Sequence, residues 1–245
     1  MGYTPQCRTL FLIESLDLYE ALDRLVTDIR EVLGMEVSPP ENLRAVVEPR
    51  RSFARGSYDP IRRIITLYDN DWCRKTFIHE LFHAISAFSQ IPELRKIAKL
   101  ERDFVEGLTE FFTGYVLYTR YRECYIAWIK SRYPVCAISY EKDVKLFGAT
   151  AQVLMPISDF AKIYVYNPSI DWYEQYRGFL DNYDMEDFLI NKPKKKRKWP
   201  SRTLFENMIV KILREKAGEN LVDEFRDLLY EAPISEVLNY SSMLK

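Results

Sequence analysis

His79-Glu80-Leu81-Phe82-His83 holds both histidines of this 245-residue chain. On a helix, positions i and i+4 lie on one face, so the two imidazoles would project to a common point. A single Zn²⁺ ion can bind one nitrogen of each imidazole at about 2.0–2.1 Å. Glu80 would lie about 100° around the helix from His79, where it can reach a water molecule on the metal without binding the metal itself. The pentapeptide therefore predicts a zinc site on a helix.

The residues on either side of the pentapeptide favour a helix. Asn70 or Asp71 can serve as its N-cap, and the chain then continues without glycine or proline to Pro92. Unpaired histidines in an apolar segment would carry a desolvation penalty that a metal ion removes. The alternative is a pair of core histidines satisfied by ordinary hydrogen bonds. The apolar neighbours are Ile78, Leu81, Phe82, Ile85 and Phe88.

A catalytic zinc site needs three protein ligands and an open position, and the chain has no third histidine. Cysteine is one alternative, but an acidic residue on a second helix fits better. Glu106 and Glu110 are four apart in an otherwise apolar segment, so they would share one helix face. Gly107 and Gly114 lie near the same stripe and are expected to let this helix approach the histidine helix closely. The simpler interpretation is a solvated face with two surface glutamates.

Taken together, His79-Glu80-Leu-Phe-His83 and Glu106-Gly-Leu-Thr-Glu110 resemble the gluzincin branch of zinc metallopeptidases, the thermolysin-like group. The resemblance implies that His79, His83 and Glu106 bind zinc. It also implies that Glu80 is the general base of peptide hydrolysis and that Glu110 accepts a hydrogen bond from a ligand imidazole. The family more often has aspartate at the last position, so Glu110 is a departure. The resemblance identifies a chemistry and leaves the substrate open.

The predicted strands and helices indicate an α+β architecture. The resemblance, which covers about residues 55–120, implies that this architecture is zincin-like. Residues 43–48 and 61–68 have the composition of short strands, and the turn-rich stretch 55–60 leads into the second. We expect a small, mostly antiparallel sheet packed on the histidine helix and the glutamate helix. An exposed strand edge above the metal could bind an extended peptide as one more strand. An ordinary hairpin packed on a helix is the alternative.

Helical patterns dominate the rest of the chain. The basic stretch 191–200 is predicted to be a linker between a metallopeptidase domain with a helical extension, residues 1–190, and an all-helical appendage, residues 201–245. The expected helices are one capped by Ser15 or Asp17 and ended by Gly34, followed by 92–130, 139–154, 157–165, 171–180, 184–190, 201–216 and 220–231.

Composition and charge place few limits on the partners. The net charge is −1. Residues 8–14 are too short and too acidic for a signal peptide, and residues 111–118 are too short to span a bilayer. We expect a cytoplasmic protein without a membrane partner, and the tyrosine-rich, glutamine-poor composition is similar to that of thermophile proteins. The cysteines are expected as free thiols, with a Cys124–Cys136 bridge as the alternative; they are Cys7, Cys73, Cys124 and Cys136.

In peptide hydrolysis, Glu80 would accept a proton from the attacking water and pass it to the leaving amine. Thermolysin-like enzymes also use a further histidine against the oxyanion, which this chain lacks, so a tyrosine or an arginine would have to replace it. Tyr140, at the start of a predicted helix, is our candidate, with Tyr115 and Tyr118 as alternatives. Each of the three can equally be an aromatic residue packed in the core.

The basic run Pro-Lys-Lys-Lys-Arg-Lys, residues 193–198, resembles a nuclear import signal and could contact nucleic acid. The competing hypothesis is therefore a non-proteolytic, zinc-containing scaffold or a nucleic-acid-associated protein. A solvated linker is the simpler explanation because the flanking helices carry balanced charge. A further possibility is that helices within 201–245 dock over the cleft and hold a peptidase latent.

Overall fold

The computed structural model describes residues 18–49, 55–68, 74–91, 102–122, 140–154, 157–166 and 201–239. Within these ranges the fold is mixed α/β with a small sheet and mostly helical content, which confirms the coarse prediction. In chain order the elements are α1 (Leu18–Leu33), β1 (Arg44–Glu48), β2 (Gly56–Asp59), β3 (Ile64–Tyr68), α2 (Arg74–Ile85), α3 (Ala87–Gln90), α4 (Arg102–Arg120), α5 (Glu141–Val153), α6 (Ile157–Val165), α7 (Ser201–Ala217), α8 (Glu219–Tyr230) and α9 (Ile234–Val237).

The sheet described has the strand order β1-β3-β2. β2 and β3 form an antiparallel hairpin, while β1 pairs with the other edge of β3 in parallel. The prediction of a mostly antiparallel sheet is therefore wrong. The physical reason is the position of β2: because the chain reverses direction once into β2 and again into β3, β1 and β3 point the same way.

β2 lies within the stretch 55–60 that the sequence predicted as turn-rich. Its residues, Gly-Ser-Tyr-Asp, include poor strand formers, and pairing with β3 overrides that weak local preference. The turn comes later, because Asp59 Oδ1 accepts hydrogen bonds from the N–H groups of Ile61 at 2.9 Å and Arg62 at 3.0 Å. The strand expected over 61–68 consequently begins at Ile64.

Helix α1 ends where the sequence predicted. Gly34 has φ +62°, in the left-handed region that glycine adopts without strain, and its N–H donates to the Arg30 carbonyl at 2.9 Å. The predicted N-caps of α1 and α2 lie outside the described residues, as do the ends of the long helix predicted over 92–130.

The buried carboxylate of Asp28 joins α1 to the ends of α4 and α2. Asp28 on α1 accepts a hydrogen bond from the Tyr121 hydroxyl at 2.9 Å and forms a salt bridge with the Arg120 guanidinium at 3.0 Å. Arg74, the first residue of α2, hydrogen-bonds the same Tyr121 hydroxyl and also lies over its ring. The histidine helix is thus fixed at its N-terminus before it reaches the candidate site.

An aromatic cluster packs α2, α4, α5 and α6 together. Stacked and tilted ring pairs run through it, with Phe112 and Tyr164 at a centroid distance of 5.0 Å and Phe82 and Phe112 at 5.8 Å. Each pair adds about 0.5–1.5 kcal/mol beyond the burial of apolar area. The cluster therefore holds the histidine helix rigidly against the glutamate helix. Its members are Phe82, Phe111, Phe112, Phe147, Phe160 and Tyr164.

Gly107 makes its close approach to α5, and the expectation that it would face the histidine helix is wrong. A Cβ atom at Gly107 would overlap the side chain of Asp143. Gly107 follows Glu106 and is therefore turned about 100° around α4. Since Glu106 faces α2, the adjacent glycine faces the next helix in the layer.

Helices α8 and α9 pack mainly on α5, whereas α7 packs mainly on α8, and all three share the core of the chain. A Cβ atom at Gly148 on α5 would overlap Val237 on α9, which shows how close this packing is. In the described ranges, every helix is too short or too polar to cross a bilayer. The linker 191–200 and the helices predicted over 171–180 and 184–190 lie outside the described residues.

Candidate metal centre

Helix α2 presents His79 and His83 on one face, as the spacing of four requires. The two Nε2 atoms lie 3.2 Å apart, and the rings meet edge to face with centroids at 4.8 Å. Both side chains are largely buried. Two imidazole nitrogens directed at one point of a buried helix surface need a cation or a proton between them.

Glu106 on α4 supplies the third atom of the cluster. Its Oε2 atom lies 3.1 Å from His79 Nε2 and 3.4 Å from His83 Nε2. Ligand atoms around a tetrahedral zinc ion, each bonded at about 2.0–2.1 Å, are about 3.3 Å apart. The three atoms therefore form a triangle of the size that a tetrahedral zinc ion requires, and the residues fit the metal.

Glu110, one turn further along α4, determines which nitrogen of His79 carries hydrogen. Its Oε2 atom lies 3.0 Å from His79 Nδ1. An ionised carboxylate can only accept a hydrogen bond, so Nδ1 must donate, and a neutral His79 then has its lone pair on Nε2. That lone pair points toward Glu106 Oε2 and His83 Nε2, so three electron-pair donors converge.

The charges around the cluster favour a positive charge at its centre. Burial opposes ionisation of Glu110, but Lys75 and His79 lower the pKa of its carboxyl to about 2. Burial likewise opposes a charged His79, yet the hydrogen bonds that its imidazole donates to the carboxylates of Glu106 and Glu110 raise its pKa to about 9. Hydrogen bonds to both histidines also hold the pKa of Glu106 well below its usual range, although burial opposes this. Without a metal, a proton on His79 therefore supplies the positive charge that the site requires.

Glu80 is buried on α2 beside this cluster, with only 7% of its surface exposed. Burial raises the pKa of its carboxyl, more than the neighbouring imidazoles lower it. A carboxylate with a raised pKa is a better proton acceptor than an ordinary surface glutamate. The environment of Glu80 therefore suits a general base.

The three tyrosines considered as oxyanion donors lie in different surroundings. Tyr140 directly precedes α5 with a left-handed backbone, φ 55°, and its side chain is 38% exposed. Tyr115 is buried and stacks on Phe111, and Tyr118 is buried beneath the Arg122 guanidinium. Tyr115 and Tyr118 are thus core aromatics, whereas Tyr140 is partly exposed to solvent.

Sequence reasoning missed three contributors to the site. Lys75 contacts Glu110, and its position four residues before His79 was a signal that could have revealed it. Gly56 on β2 approaches Glu80, and nothing in its local sequence indicates this contact. The Tyr164 hydroxyl lies 2.7 Å from Thr109 Oγ1 and 3.3 Å from the Phe82 carbonyl oxygen, so it links the two ligand helices.

Other candidate residues from the sequence fall outside the part of the chain that the structure describes. These are the four cysteines and the basic run 193–198. The comparisons with protein-family models, with curated proteins and with solved structures found no match for this chain.

Proposed function

We propose that the chain is a zinc-dependent metallopeptidase in which His79, His83 and Glu106 hold the metal. The observation that carries the proposal is the convergence of three electron-pair donors at mutual distances of 3.1–3.4 Å. Three protein ligands leave the fourth position of a tetrahedral ion open, which is the arrangement of catalytic zinc sites. Structural zinc sites, in contrast, usually have four protein ligands.

When bound, zinc would polarise a substrate carbonyl and lower the pKa of a water molecule at the open position toward about 7. The carboxylate of Glu80 would take the proton from the attacking water and then deliver it to the nitrogen of the leaving amine. Glu110 would hold the His79 ring in one tautomer throughout, through its contact with Nδ1.

Strand β2 offers an edge at which an extended peptide could bind. The Tyr68 N–H donates to the Arg55 carbonyl at 3.0 Å, so the alternation of an antiparallel pair directs Ser57 and Asp59 toward β3 as well. Gly56 and Tyr58 then direct their backbone N–H and C=O groups to the outer edge, where no strand pairs within the described residues. A peptide added there would pass beside Glu80 and the metal ligands.

Peptide hydrolysis also needs a side chain that donates a hydrogen bond to the oxyanion. Tyr140 is our candidate, because it is partly exposed where it directly precedes α5. Arg102 is a second candidate that the geometry adds, because its Nε atom lies 3.6 Å from the Oε1 atom of Glu106 and most of its side chain is exposed. The role requires a hydrogen-bond donor beside the open position of the metal.

The experiment that tests this function combines metal analysis with a peptide-library cleavage assay. We expect about one zinc per chain, cleavage by the zinc-loaded protein, and loss of cleavage on treatment with a chelator that zinc addition reverses. If the protein holds zinc and cleaves no peptide, yet binds DNA with an affinity that falls steeply with salt, the scaffold or nucleic-acid alternative replaces the proposal.

A further inference from the structure

Lys75 lies on α2, one turn before His79, in an unusual setting for a lysine. Only 8% of its surface is exposed, and its Nζ atom lies 2.6 Å from the Oε1 atom of Glu110. Glu110 itself is 1% exposed, and its other oxygen, Oε2, contacts His79 Nδ1 at 3.0 Å. The two oxygens of one buried carboxylate therefore bind a lysine and a metal-ligand histidine.

We propose that Lys75 is a positioning residue of the metal centre, which acts on the zinc ligand His79 through the carboxylate of Glu110. The inference rests on the proposed zinc site. With Oε1 held by the ammonium, the carboxylate is fixed in orientation, and Oε2 is directed at the Nδ1 hydrogen of His79. His79 is then held in the tautomer whose Nε2 lone pair faces the metal.

The geometry of the two helices explains why a glutamate is present at position 110. Lys75 and His79 are four apart, so their side chains leave the same face of α2 about one helical turn apart. A carboxylate that reaches from α4 to both of them must project between two turns. Glutamate has one more methylene than aspartate, so it reaches further. The gluzincin family more often has aspartate at the position of Glu110. The need to reach Lys75 as well as His79 explains the longer side chain here.

The balance of charge in the site also requires the ammonium group of Lys75. Glu80, Glu106 and Glu110 bring three carboxylates into one largely buried site. A divalent zinc ion would offset two negative charges when all three are ionised, and the ammonium of Lys75 offsets the third. Buried charges that lack a partner are strongly unfavourable, so removal of the lysine would weaken the whole arrangement.

The test measures zinc affinity of the full-length chain by competition with a chromophoric chelator. Lys75→Met keeps an unbranched side chain that is one heavy atom shorter and removes the charge, and we expect zinc affinity to fall about 10–100-fold. Lys211→Met removes a charge from an exposed position on α7 and is the matched control, with an affinity within about twofold of wild type. The visible absorption of the Co²⁺-substituted protein should change in Lys75→Met and stay constant in the control.

A double-mutant cycle separates positioning from a general structural role. If Lys75 acts through Glu110, Lys75→Met should add little further loss of zinc affinity in a Glu110→Gln background. Wild-type zinc affinity in Lys75→Met, or losses that multiply in the double variant, would overturn the proposal. Lys75→Gln, which retains a hydrogen-bond donor, replaces the methionine variant if that protein does not fold. A wild-type chain that binds no zinc would refute the metal centre itself. That outcome differs from zinc binding that is unaffected by Lys75→Met, which would refute only the role of Lys75.

Discussion

Gly56 on strand β2 lies directly against Glu80 on helix α2. A Cβ atom at Gly56 would be 2.8 Å from the Cγ2 atom of Thr76, 2.9 Å from the Cγ atom of Glu80 and 3.0 Å from the Oε1 atom of Glu80. Any larger residue would require the carboxylate to move or the strand to withdraw. The absence of a side chain therefore determines the distance between the proposed peptide-binding edge and the proposed base.

Gly56→Ala should consequently impair cleavage without removing the metal. The added methyl group would press on the side chains of both Thr76 and Glu80. Misplacement of a catalytic group such as the Glu80 carboxylate by about 1 Å can cost roughly 100-fold in rate. The measurement is kcat/KM on a cleaved peptide together with zinc content. Ser57→Ala, at the neighbouring exposed position, is the control and should retain most of the activity. Equal activity of Gly56→Ala and wild type would show that the contact does not matter for catalysis.

The two glutamates of α4 should differ in their effect on zinc binding. Glu106→Ala leaves two histidines on the metal and should abolish most of the zinc affinity. Glu110→Ala removes the partner of His79 Nδ1 and should cost about 10–100-fold. Zinc titration of both variants checks the order. Retention of zinc by Glu106→Ala and its loss in Glu110→Ala would show that the ligand assignment is wrong by one helical turn.

The spacing of these residues along the two helices could be predicted from the sequence because it is local. His79 and His83 share a face, as do Glu106 and Glu110, simply because a helix repeats every 3.6 residues. The approach of Gly107 to α5 could not be predicted, since its partner Asp143 lies far along the chain. Lys75 is an intermediate case. Its position one turn before His79 could be predicted from the sequence, whereas its contact with Glu110 on another helix could not.

The sheet was the harder part of the fold to predict. The strand β3 is rich in β-branched residues, and its existence was expected. The strand β2 has little strand preference of its own and forms because β3 pairs with it. The parallel pairing of β1 depends on how the chain crosses between the strands, which no short pattern in the sequence encodes.

The metal-free chain should lose stability between about pH 6.5 and pH 9. The pKa of His79 rises from 6.5 to about 9 on folding, so its contribution is complete below pH 6.5 and is lost as the pH rises through 9. Urea unfolding of the metal-free protein across this range measures the effect. His79→Ala should lack this contribution to the pH dependence. A loss of equal size in wild type and His79→Ala would assign the effect to another group.

The Asp28 ion pair should contribute to stability without a role in the chemistry. Asp28→Ala removes the acceptor of the Tyr121 hydroxyl and the partner of Arg120, so we expect a loss of about 1–3 kcal/mol in the free energy of unfolding. Glu31, an exposed partner of the same arginine, is the matched control, and Glu31→Ala should cost less than about 1 kcal/mol. Denaturant unfolding compares the two variants. Equal losses would show that burial of Asp28 does not strengthen its interactions.

The most direct test of the zinc peptidase proposal compares the wild-type chain with Glu80→Gln for zinc content and for cleavage of a peptide substrate. Glutamine preserves the size of the side chain and cannot take up a proton, while His79, His83 and Glu106 are unchanged. The account predicts about one zinc per chain in both proteins, with cleavage by wild type and none by Glu80→Gln. Unchanged cleavage by Glu80→Gln, or loss of its zinc, would contradict the assignment of Glu80 as the base beside a metal held by the other three residues.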